Sequence, residues 1–297
     1  MIAIPRILCP IDFSDVSQHA LDHAIAIARW YGSTVTALHV VTENVLLQPP
    51  ILFAPLDAVN GFEQHEIAET RLATWLEPAS RCGVPTRAVV EHGDPARAIV
   101  RHAGPEEFDL VIVGTHGRGG FEHFMLGSVA EKVLRKSRCP VLTVPPRIAS
   151  AAKIPYARLL CPVDFSASSL EALRFAFSIA EEADARLTIL NVLDYPSEDW
   201  LLFGRAEALE FRRYAEEDAR QRLDSLIGGD ERVWCKPEGR IEVGKAYERI
   251  LAVSAETHAD LIVMGVRGRN PMDIALFGST TNNVVRAAVC PVLTIRK

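Results

Sequence analysis

Two stretches of this sequence place glycine and a hydroxyl residue at a spacing suited to holding an anion. One reads GTHGRGGFEHFMLGS, with Gly114, Gly117, Gly127 and Ser128 in the pattern G-x2-G-x9-G-S. The other reads GVRGRNPMDIALFGS and repeats that pattern at Gly265, Gly268, Gly278 and Ser279. Glycine lets the backbone take positive φ and approach a phosphate, and a Gly-Ser that opens a helix aims free N–H groups at it; Val129 and Thr280 continue that first turn. An ordinary strand-to-helix loop is the alternative. Two copies that differ at other positions but keep these four favour the phosphate reading. His116 can touch phosphate or face solvent, and Arg267, which stands in its place in the second stretch, can add charge-assisted hydrogen bonds. Neither G-x-G-x-x-G nor G-x-x-x-x-G-K-[ST] occurs, so dinucleotide and Walker-type chemistry are unsupported.

A second pair of candidates follows the first apolar run of each half: Pro10, Ile11 and Asp12, then Pro162, Val163 and Asp164. An aspartate there can accept hydrogen bonds from ribose hydroxyls or an exocyclic amine, and it can equally help cap the helix that follows. No ordered Ser/His/Asp set, close carboxylate pair or positioned general base is evident, which argues for binding over catalysis.

These residues recur because the chain is a tandem repeat. RILCPIDFS (6–14) returns as RLLCPVDFS (158–166), identical at seven of nine positions. DLVIVG (109–114) returns as DLIVMG (260–265), and CPVLTV (139–144) as CPVLTI (290–295). The Pro- and Ala-rich stretch 145–155 separates two domains, 1–146 and 154–297. In each half, β-branched runs alternate with segments of helical period, the pattern of a parallel sheet with crossover helices. Strands are expected near 6–11, 34–41, 85–91, 109–113 and 141–144. Leu21, Ala24, Ile25 and Ala28 form a helical stripe, as do Leu170, Leu173, Phe177 and Ala180, with Ser14 and Ser166 placed as N-caps. Each half is therefore an α/β unit with a five-stranded, doubly wound parallel sheet, and ligands bind such sheets beyond the carboxyl ends of the strands.

The 297 residues suit two domains, and 48% apolar content can fill two cores. A net charge of -6 supplies no positive field for nucleic acid or anionic lipid. The start, MIAIPRILCPIDFS, reads as a first strand and not a signal peptide, and no stretch reaches the roughly 20 apolar residues of a membrane span. The six cysteines show no C-x-x-C pairing, and small buried thiols at strand starts in a reducing cytoplasm are expected.

The P-[IV]-D-F-S loop, G-x2-G-x9-G-S and the terminal C-P-V-L-T strand together resemble the universal stress protein family, in its ATP-binding branch, over nearly the whole chain. That resemblance implies two tandem Rossmann-like (adenine nucleotide alpha hydrolase-like) domains that bind ATP, or ADP or AMP, with Mg2+ or Mn2+ bridging the phosphates. It implies that Asp12 and Asp164 contact the nucleoside, that the backbone at Val40 and Val192 meets adenine, and that the glycine loop and its serine hold phosphate. It further implies pairing through final strands, which within one chain makes a pseudo-dimer of 141–144 with 292–295. With no catalytic apparatus evident, slow ATP hydrolysis at most is expected, from positioning and a metal alone. The functional expectation is a cytoplasmic, nucleotide-dependent stress-response or regulatory module with an unknown protein partner. The alternatives are an ATP-consuming transferase or ligase, and a scaffold without nucleotide. An enzyme would draw its substrate pocket from the dissimilar insertions Thr42 to Gln64 and Asp194 to Glu210, which a lid or partner surface explains more economically.

Overall fold

The computed structural model describes residues 2–42, 56–104, 106–115, 126–146, 154–194, 205–228, 237–266 and 278–296. Two compact units divide at Ile154 and Pro155.

The first unit runs β1 (Arg6–Pro10), α1 (Asp15–Tyr31), β2 (Thr34–Val41), α2 (Leu56–Arg81), β3 (Thr86–His92), α3 (Pro95–His102), β4 (Leu110–Gly114), α4 (Ser128–Lys136) and β5 (Val141–Val144). Its strands are parallel and lie in the order β3-β2-β1-β4-β5. The chain thus leaves β1 toward one side of the sheet and returns on the other, so the switch point lies between β1 and β4. The second unit repeats this with β6 (Arg158–Pro162), α5 (Ala167–Ala183), β7 (Arg186–Leu193), α6 (Arg205–Ile227), β8 (Pro237–Val243), α7 (Ala246–Glu256), β9 (Leu261–Gly265), α8 (Ser279–Ala287) and β10 (Val292–Ile295). Its order is β8-β7-β6-β9-β10, with the switch between β6 and β9.

The central strands are apolar throughout because helices cover both faces. Ile7, Leu8, Val111 and Ile112 are sealed in the first unit, as are Leu159, Leu160, Ile262 and Val263 in the second. On α1 the expected stripe of Leu21, Ala24, Ile25 and Ala28 is buried. On α5 the buried face is Ala172, Leu173, Ala176, Ile179 and Ala180, while Leu170 and Phe177 lie half-buried at its margin. Ala172, Ala176 and Ala180 are wholly sealed, with Leu173 and Ile179 nearly so. The insertion expected at 42–64 is in part the start of α2, and that at 194–210 in part the start of α6. Their apolar residues Leu46, Leu47, Ile51, Phe53, Trp200, Leu201 and Phe203 lie outside the described residues.

The amino ends of the central strands are stapled. Asp109 takes hydrogen bonds from the Arg6 backbone N–H (2.9 Å) and from its guanidinium (3.0 and 2.9 Å). Asp260 takes the backbone N–H groups of Ala157 (3.0 Å) and Arg158 (2.9 Å). Both aspartates precede the fourth strand of their unit, so the sheet is pinned at the edge opposite the candidate loops. Cys9 and Cys161 are buried, free, and stand late in their strands instead of at the starts; burial pushes both thiols up, which leaves them inert as small apolar side chains. Cys139 and Cys290, also buried and free, do lie just before β5 and β10.

Candidate functional site

The strand register brings the candidate residues of each unit to one edge. Pro10 pairs with Leu38 of β2, so Asp12 follows level with Val40; Leu8 pairs with Val111 of β4, which brings Gly114 beside Ile11. The Ile11 N–H extends the ladder to Leu38 O at 2.8 Å. In the second unit Pro162 pairs with Leu190, the Val163 N–H reaches Leu190 O at 2.8 Å, and Asp164 follows level with Val192. Gly114 ends β4 and Gly265 ends β9. His116, Gly117, Arg267 and Gly268 lie outside the described residues.

Each first loop is a tight local construction. Asp12 Oδ1 accepts from the Ser14 N–H (3.0 Å) and from its hydroxyl (2.6 Å), and Ser14 Oγ in turn accepts from the Ser17 N–H (3.2 Å) to cap α1. Asp164 Oδ1 accepts from the Ser166 N–H (3.0 Å), and Ser166 Oγ caps α5 through the Ser169 N–H (3.2 Å). Of the two uses open to this aspartate, holding the turn that caps the next helix is thus realised by one carboxylate oxygen. The residue spanned by the turn is strained in both units: Phe13 and Phe165 both have φ 61°, a conformation that costs a phenylalanine about 1–2 kcal/mol. A side chain from the second strand ties down the same loop from the side. His39 Nδ1 donates to Ile11 O at 2.7 Å, and Asn191 Nδ2 donates to Val163 O at 2.7 Å.

The glycine loops divide into two kinds. A Cβ on Gly114 would stand 2.7 Å from Val16 Cγ1 and 3.1 Å from Val16 O; one on Gly265 would stand 2.7 Å from the Ser168 carbonyl carbon and 2.8 Å from its oxygen. Close passage of the first turn of α1 or α5 therefore requires these two glycines. Positive φ does not, since none of Gly114, Gly127, Gly265 and Gly278 has it, in contrast to the sequence expectation. Gly127 (φ −59°, ψ 140°) and Gly278 (φ −52°, ψ 136°) adopt a backbone open to any residue and are the N-caps of α4 and α8.

At those caps the chain folds back on the strand end. The Gly127 N–H donates to Thr115 O at 2.8 Å and the Gly278 N–H to Val266 O at 3.3 Å, which closes each long loop at its base. The helical ladder begins with Glu131 N–H to Gly127 O (2.9 Å) and Asn282 N–H to Gly278 O (2.9 Å). The N–H groups of Ser128, Val129 and Ala130, and of Ser279, Thr280 and Thr281, precede it, and neither helix has a side-chain cap. By contrast α1, α3 and α5 start on Ser14, Asp94 and Ser166, whose side chains accept from the first turn. Helix α7 also lacks such a cap, so an open start alone is no signal. Position distinguishes α4 and α8 from α7: each opens beside the switch point of its sheet, where backbone donors and helix dipole favour an anion.

The sequence pattern contains Phe13 and Phe165 but assigns them no role, and it does not reach His39, Asn191 or the arginines that stack on the two phenylalanines. Arg71 Cζ lies 4.0 Å from the Phe13 ring centroid and Arg222 Cζ 4.2 Å from that of Phe165. The recurrence of Phe after the aspartate in both copies was the signal at hand.

The family model for the universal stress protein family matches this chain twice, over residues 3–145 and 155–296. A universal stress protein of Mycolicibacterium smegmatis is 36% identical over 300 residues, covering 98% of this chain and 96% of its own. One from Methanocaldococcus jannaschii is 35% identical over 147 residues, 47% of this chain and 81% of its own. The crystal structure of a universal stress protein from Archaeoglobus fulgidus has a TM-score of 0.69 at 22% identity, covers 98% of each chain, and so shares the fold. With the repeat, the strand order and two full-length matches in agreement, the chain belongs to the universal stress protein family and carries two of its domains in tandem.

Proposed function

We propose that this protein binds an adenine nucleotide in each unit and acts through occupancy, as a cytoplasmic stress-response or regulatory module. The observation that carries the reading is the glycine-capped start of α4 and α8 beside the two switch points, where three backbone N–H groups precede the helical ladder. That donor set suits phosphate oxygens and needs no lysine. Ser128 and Ser279 add a hydroxyl at the first helical position. The nucleoside end runs along the same edge, past Asp12 and Val40 or Asp164 and Val192.

Among the described residues no group of three or more His, Cys, Asp or Glu side chains comes together to hold a metal ion. A Mg2+ or Mn2+ ion bound with the nucleotide would bridge the phosphates.

Several charge-assisted backbone hydrogen bonds are consistent with micromolar affinity, about −8 kcal/mol. The test is to denature freshly purified full-length protein, identify released nucleotide by anion exchange, and titrate ATP, ADP, AMP and adenosine calorimetrically. An adenine nucleotide released, or binding of ATP tighter than adenosine, is the expected result. No released nucleotide together with no heat and no thermal shift at millimolar ATP overturns the reading, and product analysis with ATP separates binding from an ATP-consuming enzyme.

A further inference from the structure

We propose that Arg71 and Arg222 are positioning residues for the nucleoside end of the two sites, acting through the strained phenylalanine next to each site aspartate. The inference rests on the nucleotide reading above and extends it to residues outside the loops.

The chain of contacts is short. Phe13 stands between Asp12 and Ser14, and the hydrogen bond from the Ser14 N–H to Asp12 Oδ1 spans it (3.0 Å). In this turn the bond is made with Phe13 at a left-handed φ of 61°. If Phe13 relaxed to ordinary backbone, the turn would be reset, and with it the direction from which the Ser14 N–H (3.0 Å) and hydroxyl (2.6 Å) meet the carboxylate. A residue in this conformation persists only where its surroundings over-determine it. For Phe13 the surroundings are rings and a cation: His39 at 4.5 Å between centroids, Trp75 edge-on at 5.2 Å, and the Arg71 guanidinium over the ring at 4.0 Å.

The second unit is an internal replicate. Phe165 has the same φ of 61°, spanned by the Ser166 N–H to Asp164 Oδ1 bond, and Arg222 from α6 covers its ring at 4.2 Å. Around it the chain has changed: Asn191 stands where His39 does, and Leu226 stands at the α6 position that corresponds to Trp75. The stacked arginine has stayed, although nothing in the fold of an exposed helix face demands an arginine there. Both guanidiniums are exposed, and Arg222 also meets Asp218 at 3.6 Å. The leverage is accordingly that of an exposed cation–π contact, about a two- to fivefold change in the equilibrium it biases.

The experiment uses full-length protein and the variants R71M, R222M, R71K and R222K. Methionine keeps much of the aliphatic stem and loses the cation; lysine keeps a cation that can sit on the ring. Adenosine and ATP affinities are measured by calorimetry, and the backbone state of Phe13 and Phe165 is read from their 13C chemical shifts with and without nucleotide. The expected result is that each methionine variant weakens adenosine and ATP by the same two- to fivefold factor in its own unit, moves its phenylalanine shift toward ordinary backbone, and is at least partly rescued by lysine. Unchanged adenosine affinity with a lower melting temperature would make the arginines purely structural and overturn the proposal. A loss for ATP much larger than for adenosine would mean direct phosphate contact and overturn it too. If the wild-type protein binds neither ligand, the nucleotide reading fails, while the shift of Phe13 in R71M still decides whether the arginine holds the turn.

Discussion

Replacing Gly265 or Gly114 by alanine separates a packing requirement from a ligand requirement, and the geometry ranks the two. At Gly265 the new methyl would lie 2.7 Å from the Ser168 carbonyl carbon and 2.8 Å from its oxygen. Backbone cannot rotate aside, so α5 must move off a sheet against which Ala172, Ala176 and Ala180 are wholly buried. At Gly114 the nearest atom, at 2.7 Å, is Cγ1 of Val16, with backbone only at 3.1 Å and beyond. A rotamer change and a few tenths of an ångström relieve that contact. Overpacking costs about 1–3 kcal/mol, so G265A falls near 3 and G114A near 1. At about 2–4 °C per kcal/mol for a unit of this size, the second unit of G265A melts roughly 6–12 °C lower and the first unit of G114A roughly 2–4 °C lower. Calorimetry of the full chain, with hydrogen exchange of the α1 and α5 segments to say which unit has changed, reads both numbers. If G265A melts within a degree or two of wild type, or if G114A costs as much, the packing argument is wrong. Loss of ATP binding from a variant of undiminished stability would return both glycines to the ligand.

Three further outcomes are expected. Ser14→Ala removes the α1 cap and one hydrogen bond to Asp12, so it should cost about 1 kcal/mol in urea unfolding, and Ser166→Ala about the same. His102 lies between Glu91 Oε1 and Glu107 Oε2, each at 2.6 Å, so only the imidazolium can donate to both. Burial opposes that cation, but the two carboxylates outweigh burial and raise His102, while its hydrogen bond holds Glu91 down. The His102 contribution is complete below the unfolded value of 6.5 and lost as pH rises through the higher folded value; that of Glu91 is complete above the ordinary carboxylate range and lost as pH falls through the lower folded value. His102→Gln should therefore flatten the stability profile of the first unit above pH 6.5, and an unchanged profile by pH-dependent urea unfolding would refute the assignment. Gly127→Ser places a capping hydroxyl on the first turn of α4, so thermal stability should hold or rise slightly while ATP weakens about tenfold and adenosine does not, measured by calorimetry.

The architecture was legible because its signals are local. Apolar runs ending in Asp or Gly mark the strand ends, and the repeat doubles the evidence for each. Ser14 and Ser166 could be read as caps from their place ahead of an apolar stripe. The division among the glycines could not be read, because Gly114 and Gly127 look alike in a loop motif; only the approach of Val16, a residue from another element, sets the first apart. The same holds for Phe13. Its turn is closed by the aspartate beside it, but its retention depends on His39, Arg71 and Trp75, which come from two other elements. The expected stripe on α5 holds at Leu173 and Ala180, whereas Leu170 and Phe177 stand at its margin and Ala172, Ala176 and Ile179 complete the buried face.

The glycines at 127 and 278 are the residues of the motif whose backbone angles do not call for glycine and whose helices carry no side-chain cap. Their φ and ψ are open to serine, and a serine there would satisfy one N–H of the first turn. The Gly278 Cβ position is 3.2 Å from Val266 O, a contact that a small shift relieves, in contrast to the backbone collision at Gly265. The chain does use side-chain caps at other helix starts, on Ser14, Asp94 and Ser166. At α4 and α8 it forgoes one in both units, and it does so beside the switch points. A capping hydroxyl would occupy a donor that an anion needs, and a Cβ would stand between that anion and the helix. Stability loses only a few tenths of a kcal/mol by having glycine in place of serine at such a cap, whereas a phosphate deprived of a charge-assisted hydrogen bond loses about 1.5–3 kcal/mol. On the proposed nucleotide reading the loss at the phosphate would outweigh the gain at the cap, so the phosphate-facing role would fall to the last glycine of the motif, while packing already accounts for its first.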